Sequence, residues 1–93
     1  MKIYQIDYDL RKQRDYESLY QRIKSYPNWC HALESTWLIQ SDQSALQIHN
    51  HLFGVMDGDD GLLVTQITRD AAWIGVHPKV SEWLKSELSR LAA

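Results

Sequence analysis

Five charged residues crowd the end of the first hydrophobic stretch: Asp7 and Asp9, then Arg11, Lys12 and Arg14. Met1 to Leu10 is rich in β-favouring residues, with Ile3 and Gln5 alternating against Tyr4 and Ile6, and reads as a buried strand. Residues two apart in a strand share a face, so Asp7 and Asp9 share a surface. A carboxylate at a strand end suits a magnesium ion, which takes one or two carboxylates and completes its shell with water and phosphate. Such a metal would activate water and neutralise phosphate charge. Asp9 is therefore the candidate catalytic and metal-ligating residue. Arg11, Lys12 and Arg14 are the candidate nucleic-acid contacts, since arginine offers phosphate a two-pronged fork. An ordinary reading stands beside this one. A strand that simply stops leaves a solvated carboxylate, Asp7 can pair with Arg11 or Lys12, and charged runs are usually solvated loops.

Other chemistry is harder to build. His49 and His51 are two apart in a predicted helix and do not face the same way. Cys30 and His31 are neighbours on a predicted strand and point to opposite faces. Neither pair has zinc spacing, and a hydrogen-bonded structural role suits His31 best. The cluster Asp57-Gly58-Asp59-Asp60-Gly61 fails the calcium-loop template, because its glycine comes one place early and Thr68 stands where the closing glutamate belongs. It reads as a turn. The four glycines are scattered and form no phosphate-cradling loop. Trp29, Trp37, Trp73 and Trp83 read as packing residues, with Trp29 or Trp37 a candidate dimer contact.

The chain has 93 residues, 44% hydrophobic and 24% charged, which suits a single domain over 1–93. A net charge of −2 and a pI near 6.0 exclude a wholly basic nucleic-acid binder. Most of the basic residues nevertheless fall in the first quarter. The lone Cys30 excludes an internal disulfide. With no apolar run of spanning length and no leader pattern, the expectation is a cytoplasmic protein that does not enter a membrane.

These residues need elements to hold them. Asp15 suits the cap of a helix with Tyr16, Leu19, Tyr20 and Ile23 on one side, ended by Pro27. Trp29 to Gln40 is too long for one strand and reads as a hairpin turning near Glu34 and Ser35. Ser44 and Gln47 form a capping box for a helix with Ala45, Ile48, Leu52 and Phe53 on one side. Leu62 to Ile67 reads as a strand apolar enough to be central or covered on both faces. Ala72 to Val76 reads as a short edge strand, and Pro78 opens a last helix striped by Val80, Trp83, Leu84, Leu88 and Leu91. The predicted fold is α+β: a ferredoxin-like βαββαβ antiparallel sheet with an added short strand and a C-terminal helix. Two helices cover one face, so the other needs a dimer mate or the last helix.

Ile6-Asp7-Tyr8-Asp9-Leu10, followed by a basic loop and a helix, resembles the opening of the small CRISPR-associated protein that partners the integrase in spacer acquisition. Glu34-Ser35-Thr36-Trp37-Leu38-Ile39 is similar to that family's hairpin landmark, with Trp37 where a phenylalanine is usual. The virulence-associated protein D toxins are a sister resemblance. Together these cover roughly the first two thirds of the chain. The resemblance implies a homodimer in which Asp9 of each subunit holds a divalent metal between them, here Mg2+. It implies a nucleic-acid-associated protein of antiviral defence or a toxin–antitoxin pair, with an integrase or an antitoxin as partner. Some members are metal-dependent endonucleases on RNA or DNA, and others are scaffolds that do not need the aspartate. Both readings stand for this chain. The acidic balance weighs against a long duplex-binding surface.

Overall fold

The computed structural model describes residues 1–91. Seven elements follow in order: β1 (Lys2–Asp9), α1 (Glu17–Lys24), β2 (Asn28–Leu33), β3 (Thr36–Ser41), α2 (Ala45–Phe53), β4 (Gly61–Ile67) and α3 (Pro78–Leu88). The strands form one sheet in the order β2-β3-β1-β4, every neighbouring pair antiparallel. The molecule is an α+β domain of one four-stranded antiparallel sheet and three helices.

β1 lies inside the sheet, between β3 and β4. Its alternation places Tyr4 and Ile6 among the α1 and α2 side chains Leu19, Ile23, Ile48 and Leu52. Ile3 turns to the other face and packs with Leu38 against Val80, Leu84 and Leu88 of α3. Both faces of its first half are therefore buried, as an inner strand requires.

Local signals explain the helices. Glu17 in the first turn of α1, and Arg22 and Lys24 in its last, complement the helix dipole. Asp15 lies one residue before the N-cap position, yet its carboxylate accepts the Glu17 N–H at 2.8 Å. Ser44 and Gln47 form both halves of the capping box on α2. α3 opens with Pro78, and the His77 imidazole accepts the Lys79 N–H at 3.1 Å. The hairpin turns at Glu34 and Ser35, as expected.

Two expectations are overturned. Ala72 to Val76 is not a strand. This segment carries the chain from the end of β4 to the start of α3, and Gly75 takes a left-handed φ of 75° that breaks extended pairing. Trp73 anchors it instead, donating its indole N–H to the Ser81 hydroxyl at 3.0 Å and packing into the α3 cluster. β4 is neither central nor covered on both faces. It is an edge strand, and Leu63 on it is 61% exposed.

The two edges differ. β2 carries a bulge between His31 and Leu33, a common way of spoiling an edge for pairing. β4 pairs with β1 alone among the described residues, and its sequence Gly-Leu-Leu-Val-Thr-Gln-Ile holds no charge and no proline. α3 lies against β2 and covers only part of the sheet face opposite α1 and α2.

Cys30 packs on the α3 side of β2, and burial pushes its thiol up to about 12. The thiolate is the reactive form. Alkylation of Cys30 by iodoacetamide at pH 8 is therefore expected to run at least about a hundredfold slower in the folded chain than in denaturant. Equal rates would contradict this packing.

Candidate functional site

The predicted site residues gather at one corner, where β1 ends and β4 begins. Asp9 is the last residue of β1 and faces Gly61, the first of β4. The polar loop after Asp9 meets the turn Asp57–Asp60, and one carboxylate joins them. Asp60, only 7% exposed, accepts the Arg11 N–H at 2.8 Å, the Asp57 N–H at 2.9 Å and the Tyr16 hydroxyl at 3.0 Å. Burial alone would raise this carboxyl, but those hydrogen bonds and the nearby Arg14 charge hold it below the ordinary aspartate range. Burial, then the hydrogen bond to Asp60, pushes the Tyr16 hydroxyl above its ordinary value. Tyr16 in turn accepts the Lys12 N–H at 3.3 Å.

This arrangement pairs each cation of the basic run. The Arg11 guanidinium grips the Asp9 carboxylate through Nε and Nη2, both at 3.2 Å, and gives Nη1 to the Asp59 carbonyl at 2.6 Å. Lys12 Nζ lies 3.2 Å from the Asp59 carboxylate. Arg14 Nε lies 3.4 Å from Asp57, its Nη2 donates to the Val55 carbonyl at 2.7 Å, and its guanidinium sits over the Tyr16 ring. Three cations thus stand among four carboxylates. The sequence shows the run as dense positive charge because three of the four acids that face it, Asp57, Asp59 and Asp60, arrive more than forty residues later.

Asp9 and Asp7 do not act as a pair. Asp7 accepts the Thr36 hydroxyl at 2.6 Å and the Gln5 amide at 2.9 Å on the open sheet face, rather than pairing with Arg11 or Lys12. Asp9 is held by Arg11 and is 72% exposed. Among the described residues no three His, Cys, Asp or Glu side chains converge as a metal cage. A magnesium ion at Asp9 would displace the Arg11 guanidinium and draw its second carboxylate from elsewhere. Because β1 is an inner strand, a second copy can reach Asp9 only over the sheet face or at the strand end.

Two further features escaped the sequence reading. On the open face, a groove of about 540 Å³ runs under the segment after β4, lined by Gln5, Leu33, Thr36, Leu38, Trp73 and Val76. Leu33, which lines it, is 52% exposed, and Ile74, 93% exposed, lines a neighbouring hollow that shares Leu33, Trp73 and Val76. On the opposite face, His31 stacks on Trp37 with ring centres 4.0 Å apart and planes 8° off parallel. Its Nε2 lies 3.0 Å from the Glu34 carbonyl, so His31 is fixed at the hairpin turn. Trp29 leans on the same Trp37 beneath Lys24, and Trp37 donates its indole N–H to the Tyr8 hydroxyl at 3.0 Å. Trp37 is core; Trp29 is partly exposed. No sequence motif marks the groove, because its walls come from all four strands, the segment after β4 and Leu84 of α3.

Asp60 is expected to hold this corner together. Asp60→Ala strands three donors and should lower the melting temperature by roughly 10 °C at neutral pH. Because the folded carboxyl lies below its ordinary value, that stabilisation is full above the ordinary aspartate range and is lost as pH falls from there through the lower folded value. The gap between wild type and Asp60→Ala should therefore shrink as melting is repeated from pH 7 towards pH 3. A gap that stays constant contradicts the assignment.

The chain matches no protein-family model, no curated protein and no solved structure.

Proposed function

We propose that this chain is a ferredoxin-like, non-catalytic interaction module that works as a homodimer joined through the open edge of β4. The ferredoxin-like reading is supported by the βαββαβ order and by the neighbour order, which reads β4-β1-β3-β2 from the other edge. The dimer reading is carried by one observation: an unpaired seven-residue edge strand with no charge, no proline and no bulge. Such an edge presents a row of free backbone donors and acceptors, and a strand left this way pairs with another chain. The exposed Leu63 adds apolar surface to the same edge. Homo-oligomers most often close with twofold symmetry, and a small domain gains proportionately more from burying surface.

Within the family that the sequence resembles, this reading corresponds to the scaffold members. The alternative is a magnesium-dependent endonuclease on RNA or DNA that takes Asp9 from each of two copies. Its support is the exposure of Asp9 at the end of β1, beside the mixed charge of Arg11, Lys12 and Arg14. The paired state of those cations favours the scaffold, since phosphate binding needs charge free to replace counterions.

The purified chain is expected to elute as a dimer, about twice 10.9 kDa by light scattering. Leu63→Lys should leave folding intact, because the side chain is exposed, and should yield monomer. Asp9→Asn should leave the dimer unchanged, with no magnesium-dependent cleavage of RNA or DNA by either protein. A dimer indifferent to Leu63→Lys defeats the β4 reading. Cleavage abolished by Asp9→Asn establishes the nuclease instead.

A further inference from the structure

We infer that the hollow at the other end of the sheet from Asp9 binds a small molecule through a di- or triphosphate group, held by Lys2, Arg69 and Arg90. This goes beyond the β4 dimer and does not depend on it. β1 begins where β3 and β4 end, with Lys2 facing Ser41 and Ile3 facing Ile67. The chain bends away from β4 at Arg69, and the C-terminal end of α3 brings Arg90 and Leu91 to the same hollow. Its volume is about 440 Å³, within the range of small-molecule sites.

The charges here differ from those of the Asp9 corner. There each cation of the basic run has a carboxylate within 3.4 Å. In the hollow, Lys2 and Arg69 form no ion pair among the described residues. Lys2 has only the Tyr4 ring, 5.8 Å away. Arg90 reaches the Glu87 carboxylate at 3.7 Å, longer than a hydrogen bond, and that carboxylate already accepts the Gln40 amide at 2.7 Å. Asp42 is the acid on the wall, and its side chain is 81% exposed. On the walls themselves, three side-chain cations stand against one carboxylate.

These donors suit phosphate. Arginine forks take phosphate oxygens two at a time, and lysine adds a point charge. Gln66 and Thr68 line the same hollow and add an amide and a hydroxyl. The Thr68 hydroxyl oxygen accepts the Asp70 N–H at 3.4 Å, which leaves its own O–H to donate. A lone carboxylate would leave most of this charge unanswered, whereas a diphosphate matches it. Ile67 and Leu91 supply an apolar wall for the organic part of the ligand. A nucleic-acid backbone fits less well, because these cations are confined to one hollow on a chain of net charge −2.

Calorimetric titration with pyrophosphate tests the site. Pyrophosphate is expected to bind saturably, with orthophosphate and acetate at least about tenfold weaker. Arg69→Gln and Arg90→Gln, both at exposed positions, should each weaken pyrophosphate about tenfold. Lys79→Gln removes the same charge at the start of α3 and should leave affinity within about twofold. Circular dichroism confirms that each variant folds. Absence of saturable binding overturns the site. So does a loss with Lys79→Gln equal to that with Arg69→Gln, which marks a bulk effect of charge. A single-stranded oligonucleotide that displaces pyrophosphate, and itself loses binding in Arg69→Gln, overturns the small-molecule reading.

Discussion

Every strand has two rows of backbone donors and acceptors, and a four-stranded open sheet leaves one row bare at each end. This constraint shapes the whole molecule. β1 and β3 spend both rows inside the sheet. β2 carries a bulge between His31 and Leu33, which disturbs its backbone row. β4 has no such guard, although α2 packs against it. An uncharged free edge is a ready template for pairing with another chain. The proposed function follows from that asymmetry, with the exposed Leu63 on the same strand.

The corner that holds Asp9 is tied together by one buried carboxylate. Asp60 is buried and accepts three hydrogen bonds from groups far apart in sequence, so it ties the start of β4 to the loop after β1. With that tie in place, Asp57 and Asp59 fall within reach of Arg14 and Lys12, and Asp9 within reach of Arg11. These pairs are exposed and individually weak. Their effect is to hold the basic side chains in place and to cancel the charge that a phosphate backbone would need. A local excess of positive charge in the sequence becomes a balanced cluster in the fold.

Much of the architecture could be read from local signals. The capping box of Ser44 and Gln47, the proline at the start of α3 and the alternation in β1 act within a few residues and are present as expected. The hairpin turn at Glu34 and Ser35 was legible without a glycine. What failed was nonlocal. Leu62 to Ile67 looked fit for a central strand because a run of apolar residues does not say which neighbours it will have. Ala72 to Val76 has strand-like residues, but the route to α3 and the left-handed Gly75 decide its shape. For the site, the sequence marked Asp9, Arg11, Lys12 and Arg14 but could not show the acids opposite them. Nothing local marked the groove either, since its lining comes from four stretches of chain.

In the proposed dimer the outer edge of β4 is paired in the working protein. Amide hydrogen exchange, followed residue by residue at rising protein concentration, reads that edge directly. The β4 amides that point away from β1 should exchange slowly, like those of the inner strands, and should quicken on dilution as the dimer parts. Outward β4 amides that exchange like loop amides at every concentration would contradict the account.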